Sequence, residues 1–340
     1  MLKPHSCAMP TLYLTHPGAV LRYENDCFVA EAKGQPSVAV PRFKVERVVA
    51  FGAVHITQPA LARLLAKRVE VHFLSRFGLP KGMLCPADDS RVDVRLAQYR
   101  AFCDEAFRLG VARSIVAAKV ANCRQIVMRF RRNHPGDELN RIVEEMKRRV
   151  NDAAGAQSLD RLLGIEGAAA ALYFDAYGQM IGDPELFDGR SRRPPRDPAN
   201  ALLSLGYTLL GGEVAGLLSA HGLDPYLGFY HQARRGLPAL AQDVLEEFRA
   251  PVVDRLVLAL LNRRDIQQSD FAGGPEGGFR LKQTALKQFL GRYEDAVNEI
   301  FVMKNGSRTS FRRLIAVQAQ SMRHACEKNA AYQPFHWERG

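Results

Sequence analysis

No two of the six cysteines in this 340-residue chain (Cys7, Cys27, Cys85, Cys103, Cys123 and Cys326) form a C-x-x-C pair, so neither a zinc ribbon nor an iron–sulfur ligand set is readable. Scattered thiols suit a reducing compartment. Met1 to Pro10 lacks the apolar run of a signal peptide, and no stretch reads as approaching the roughly 18 apolar residues of a membrane span. A cytoplasmic, soluble protein is therefore expected. There is no internal repeat, no low-complexity tract and one tryptophan, Trp337. Acids are in short supply: 36 Asp and Glu stand against 47 Lys and Arg, a net charge of +11. That balance suits a polyanion partner such as nucleic acid, because each neutralised phosphate releases counterions, but it does not establish one.

A chain of this length exceeds what one core normally serves, which points to two domains. From Thr11 to about Pro86 the texture is that of strands. Thr11–Thr15, Ala19–Tyr23, Cys27–Glu31, Val38–Val40, Arg47–Phe51, Val69–Phe73 and Lys81–Leu84 alternate or run apolar, with a hairpin turn at Glu24-Asn-Asp26 and one helix at Pro59–Ala66. From Ser90 onward the apolar period becomes 3.6, as at Val94, Ala97, Phe102 and Ala106. The predicted fold class is α+β. A small β-rich domain over 1–88 precedes a larger all-α domain over 89–329, and 330–340 reads as a mobile tail. Asn133–Gly136, Asp188–Pro198 and Gly273–Gly278 read as loops.

The chemistry-bearing pattern is Gly228-Phe-Tyr-His231 followed by Asp243-Val-Leu-Glu246-Glu247-Phe-Arg249. Acids three and four residues apart share a helix face, so two of the three can project toward the point His231 reaches. One imidazole among carboxylates suits manganese or magnesium better than a structural zinc. The competing reading is a surface loop histidine beside an ordinary acidic helix face. Glu166 is a lone carboxylate in an apolar helical stretch, Leu162 to Tyr173, and is costly to bury without a cation or donor. Basic side chains gather twice. Arg124, Arg129, Arg131, Arg132, Arg141, Lys147, Arg148 and Arg149 suit a solvated face. Arg190, Arg192, Arg193 and Arg196 lie in a loop stiffened by prolines 194, 195 and 198, which suits holding guanidinium groups out toward phosphate.

Several ordered motifs together resemble the CRISPR-associated protein one family: Leu12–Gly18, Arg47–Ile56, Leu163-Gly-Ile-Glu-Gly-Ala-Ala-Ala170, Arg193–Asn200, and Gly228–His231 with Asp243–Arg249. The resemblance spans about Thr11 to Met322. It implies a metal-dependent DNA endonuclease and integrase that inserts spacers into a CRISPR array, in adaptive antiviral defence. It makes Glu166, His231 and Glu246 the catalytic residues and ligands of Mn2+ or Mg2+, with Asp243 the second choice for the last ligand. Arg190, Arg192, Arg193, Arg196, Asn200, Arg234 and Arg235 are the candidate DNA contacts, with helix capping an equal alternative for Asn200.

The resemblance also implies partners: double-stranded and branched DNA, a second copy joined through the β domain, a dimer of the CRISPR-associated protein two, and a separate nuclease that trims incoming DNA. Residues 1–10 extend beyond where some relatives start. A non-catalytic DNA-bridging scaffold and a branched-DNA repair nuclease are the alternatives.

Overall fold

The loop between Val20–Glu24 and Cys27–Glu31 shows how locally the first part of the chain is determined. Glu24 pairs with Cys27, leaving Asn25 and Asp26 as a two-residue turn with φ of 48° and 59°. Both residues must be left-handed in such a turn, which Asn and Asp tolerate better than other side chains. The computed structural model describes residues 11–86, 91–191, 194–232, 236–274, 277–303 and 306–337, in two compact units, Met1–Asp89 and Ser90–Gly340. The domain boundary expected at Pro86–Ser90 falls largely on residues 87–90, outside the described residues.

The first unit contains β1 (Thr11–Leu14), β2 (Val20–Glu24), β3 (Cys27–Glu31), β4 (Val38–Pro41), β5 (Arg47–Phe51), β6 (His55–Ile56), α1 (Gln58–Ala66), β7 (Glu70–Leu74) and β8 (Pro80–Leu84). One sheet has the order β1-β5-β7-β8, parallel except for β8, and the other the order β4-β3-β2-β6. Val48, Val49, Ala50 and Phe51 are all buried, as expected of an interior parallel strand covered on both faces. Leu14, Leu21, Phe28, Leu64 and Val71 pack into one core with Val48 and Ala50. The expected strands and helix are present; the two-residue β6 is an addition, too short to carry a periodic signal.

The second unit is built from α2 (Val92–Cys103), α3 (Glu105–Asn133), α4 (Asp137–Ala154), α5 (Leu159–Ile181), α6 (Pro198–Ala220), α7 (Ala239–Leu245), a π-helical turn at Arg249–Asp254, α8 (Arg255–Asn262), α9 (Gln283–Asn298) and α10 (Phe311–Lys328). Two hairpins interrupt it, β9 (Phe271–Gly273) with β10 (Phe279–Leu281), and β11 (Ile300–Val302) with β12 (Arg308–Ser310). The second part is thus helical as expected, with two hairpins whose three-residue strands are too short for alternation to reveal. The first flanks the predicted Gly273–Gly278 loop.

Two expectations are corrected. Helix α6 is long and apolar enough to pass as a membrane span, with mean hydropathy 1.5 over its most apolar window. It is apolar nearly all round because 72% of that window is buried as the central helix of the unit. The segment after α10 is not a loose tail: Tyr332, Phe335 and Trp337 are each at most 3% exposed. The Phe335 ring stacks on Phe248 at 5.1 Å, and Arg129 lies over the Trp337 ring at 4.1 Å.

Candidate active site

Each acidic or imidazole side chain of the candidate site is set by its own local device. Ser158 caps α5 by accepting the Arg161 N–H, and Leu162, Ile165 and Ala169 turn their side chains into the core. This leaves Glu166 at the rim, its side chain 16% exposed. His231 ends a tight turn that Asp243 organises from within. Asp243 Oδ2 accepts the N–H groups of Phe229 and Tyr230, and Oδ1 accepts that of His231 at 2.8 Å. A Cβ at Gly228 would lie 2.8 Å from Asp243 Oδ2 and 2.7 Å from the Ala239 carbonyl carbon, so only glycine lets the turn close onto α7.

Asp243 Oδ1 also lies 2.7 Å from His231 Nδ1. With Nδ1 occupied, Nε2 is the nitrogen left to face the acids, 3.8 Å from Glu246 Oε1. Glu246 stands just past the end of α7 and is 3% exposed. The ammonium of Lys119, from α3, pairs with Glu166 Oε1 on one side and with Glu246 Oε2 at 2.8 Å on the other. Arg249 meets Glu246 Oε1 at 3.0 Å. Asp243, wholly buried and fully engaged, orients the histidine, whereas Glu246 is the acid brought to Glu166. Glu247 turns the other way: Tyr332 Oη and Phe335 N–H donate to it at 2.6 and 2.7 Å.

Burial pushes the Glu246 carboxyl up, but Arg249, Lys119 and His231 overcome it and hold it at about 2. For Lys119 burial acts downward, yet Glu246 and Glu166 raise it above its ordinary value, so it stays an ammonium. The donor set, two oxygen donors and one imidazole nitrogen, fits a hard divalent cation with open positions. Glu246 Oε2 is buried without an aligned hydrogen-bond donor, although the Lys119 ammonium is close, and so retains acceptor capacity. Among the described residues no three acidic, histidine or cysteine side chains already close around one point, since the Lys119 ammonium stands between the two carboxylates.

The basic candidates divide. Asn200 is fully buried: Asp197 accepts its N–H as the α6 cap, Gly189 O accepts its amide at 2.7 Å, and its Oδ1 accepts Ser191 N–H and Arg190. It anchors the loop from within. Arg190 is likewise drawn inward, bonded to Asn200 and lying over the Phe174 and Tyr207 rings at 5.8 and 5.6 Å. Arg196 is exposed. Arg192, Arg193, Arg234 and Arg235 lie outside the described residues. In the other basic group, Arg141 pairs with Glu138, and Arg148 and Arg149 with Glu145, as on a solvated helix face.

Sequence reading missed Lys119, Arg249 and the buried group behind them. Asp254 Oδ2 accepts Tyr173 Oη at 2.8 Å, Oδ1 accepts Tyr207 Oη, and the Asp254 carbonyl accepts Tyr177 Oη. Burial raises Asp254 above the usual carboxylate range, the phenol donors only partly opposing it. For Lys119 a signal was available: it is a lone cation in the largely apolar run Ile115–Cys123, where an unpaired charge is costly.

Residues 12–295 match the family described as CRISPR associated protein Cas1. A Thermus thermophilus protein named CRISPR-associated endonuclease Cas1 3 is 34% identical over 330 residues, 94% of this chain and 97% of the relative. Among solved structures, a casposase bound to integration product superposes with a TM-score of 0.86 at 21% identity, over 97% of this chain and 95% of that one. A chain of a Cas6-RT-Cas1–Cas2 complex gives 0.83 at 24% identity, over 98% of this chain and 37% of that one. These two are similarities of fold. With the family match over most of its length and a relative at 34% identity along nearly all of it, the chain belongs to the Cas1 family of CRISPR-associated endonucleases.

Proposed function

We propose that this protein is a metal-dependent DNA integrase that joins a 3′-hydroxyl of incoming DNA to a phosphodiester of the repeat in a CRISPR array. The observation that carries the reading is that Glu166 and Glu246, from separate elements, share the Lys119 ammonium while His231 Nε2 lies 3.8 Å from the other Glu246 oxygen. Those three residues would hold Mn2+ or Mg2+, which when bound polarises a phosphate oxygen and offsets charge on the departing oxygen.

The chain's own residues supply the rest. Asp243 fixes the His231 ring so that Nε2 faces inward, and Arg249 keeps Glu246 ionised and in place. Arg196, with Arg192, Arg193, Arg234 and Arg235, binds phosphates and carries no sequence information. In the reaction one oxygen–phosphorus bond forms as another breaks. The attacking hydroxyl loses a proton, the departing 3′-oxygen gains one, and no external energy source is required. Run in reverse, the same site removes a branch, which accommodates the branched-DNA nuclease activity.

The partners follow from the same reading: a homodimer through the first unit, a dimer of Cas2, and a separate trimming nuclease. The Cas6-RT-Cas1–Cas2 complex supports the Cas2 partner, and the casposase bound to its integration product supports strand transfer on this fold. The test is strand transfer of a short duplex into repeat DNA with Mn2+ or with EDTA. The proposal expects product only with metal, and Glu166→Ala and His231→Ala to bind DNA yet make none. Transfer retained in chelator, or in both variants, identifies a metal-free enzyme instead, and DNA binding with no transfer even in Mn2+ identifies a scaffold.

A further inference from the structure

Lys119 belongs to no part of the donor set, yet it occupies the middle of it. It projects from α3 between buried Val116, Ala118 and Val120, and its side chain is 14% exposed. Among the described residues its polar contacts are the two carboxylates alone, Glu166 Oε1 and Glu246 Oε2. Arg249, the other cation on Glu246, is anchored elsewhere as well. It donates to Gln242 Oε1 at 3.0 Å and lies over the Tyr207 ring at 4.6 Å. Arg249 is therefore a fixed partner of Glu246 Oε1, whereas among the described residues the acids alone hold the Lys119 ammonium.

We propose that Lys119 is an exchangeable internal counter-ion, whose ammonium competes with the divalent cation for the same oxygens of Glu166 and Glu246 and leaves when the cation enters. This rests on the metal-site reading above and adds what the chain does before loading. An ammonium within ion-pair distance of both carboxylates relieves their mutual repulsion, and it cannot remain there beside a dication on the same oxygens. Its four-carbon stem gives it somewhere to go, the cleft that it lines with Cys123, Tyr173, Phe174, Arg190 and Tyr207. Because the site must first release an internal cation, its apparent metal affinity is lowered by the fraction of molecules in which the ammonium is already out. Neither bond making nor proton transfer is involved, since the group leaves as the ammonium.

The test is calorimetric titration of Mn2+ into the full chain as wild type, Lys119→Gln, Lys119→Met and Lys119→Arg, with thermal unfolding of each in EDTA and in Mn2+. The neutral variants are expected to bind Mn2+ about tenfold or more tightly than wild type. They should unfold earlier in EDTA and gain more from Mn2+, while Lys119→Arg stays as weak a binder as wild type. A purely structural lysine would lower unfolding equally with and without metal and leave affinity unchanged. That result, or weaker binding in both neutral variants, overturns the proposal while leaving the metal site intact. If neither wild type nor any variant binds Mn2+, the metal-site reading itself falls, and this proposal with it.

Discussion

His231 Nδ1 lies 2.7 Å from Asp243 Oδ1, and the same carboxylate accepts three consecutive backbone N–H groups of the turn that carries the histidine. The two acids that spacing left as rivals thus have separate work. Asp243 builds the turn and aims the ring, and Glu246 shares the Lys119 ammonium with Glu166.

Replacing them should therefore fail in different ways. Asp243→Ala strips three buried N–H groups of their acceptor and is expected to cost on the order of 3 kcal/mol or more in stability, seen as a large fall in unfolding temperature. Glu246→Gln should retain most of the fold while losing Mn2+ binding and strand transfer. Equal destabilisation by the two, or metal binding retained in Glu246→Gln, contradicts the assignment.

Glu247 gives a pH signature. Burial pushes its carboxyl up from an ordinary 4.5 to about 8, against the opposing hydrogen bonds from Phe335 and Tyr332. A carboxyl that holds its proton more tightly when folded favours the fold at low pH, and that contribution drains away as pH rises from about 4.5 to about 8. Glu246 has the opposite sign, contributing above 4.5 and losing its contribution as pH falls toward about 2. Unfolding temperature measured from pH 5 to 9 should decline across that window in wild type and less steeply in Glu247→Gln, which should be the more stable of the two at pH 8. Parallel curves contradict this.

How much of this was legible beforehand depends on the range of each signal. The Asn25–Asp26 turn and the strands beside it were readable because backbone preference and alternation are local. Glu166, His231 and Glu246 could be named as candidates only through motifs recognised as a set, and the Lys119 ammonium shared by the two glutamates was not foreseen. Asp243 and Glu246 were not separable, because helical spacing says which face an acid shares and not which neighbour meets it. The burial of Asn200 and of Trp337 was unreadable for the same reason: their partners, Arg190 and Asn122, lie 10 and 215 positions away.

The loop arginines give the third prediction. Removing Arg192, Arg193 and Arg196 together should weaken DNA binding and flatten its log–log salt slope by up to about 0.9 per lost contact. Arg190→Ala should instead lower unfolding temperature, because it removes the group tied to Asn200 and stacked between Phe174 and Tyr207. An unchanged slope in the triple variant makes the loop a solvated surface.

The terminal segment supplies the fourth. Asn122 donates to Glu247 O and Phe335 O and accepts the Trp337 N–H at 2.8 Å, tying the segment to α3 and to the turn bearing Glu246. Trp337→Ala is expected to cost about 3–5 kcal/mol, read by denaturant unfolding. A loss below about 1 kcal/mol, as for an exposed residue, would mean the segment is not part of the core.

The central claim is that Glu166, His231 and Glu246 meet at one cation, and pulsed electron paramagnetic resonance of the Mn2+-loaded protein tests it most directly. One bound Mn2+ per chain with nitrogen coupling from a single imidazole, lost in His231→Gln while the ion is still bound more weakly, is the predicted result. Bound Mn2+ with no nitrogen coupling in wild type, or with coupling that survives His231→Gln, would contradict the account.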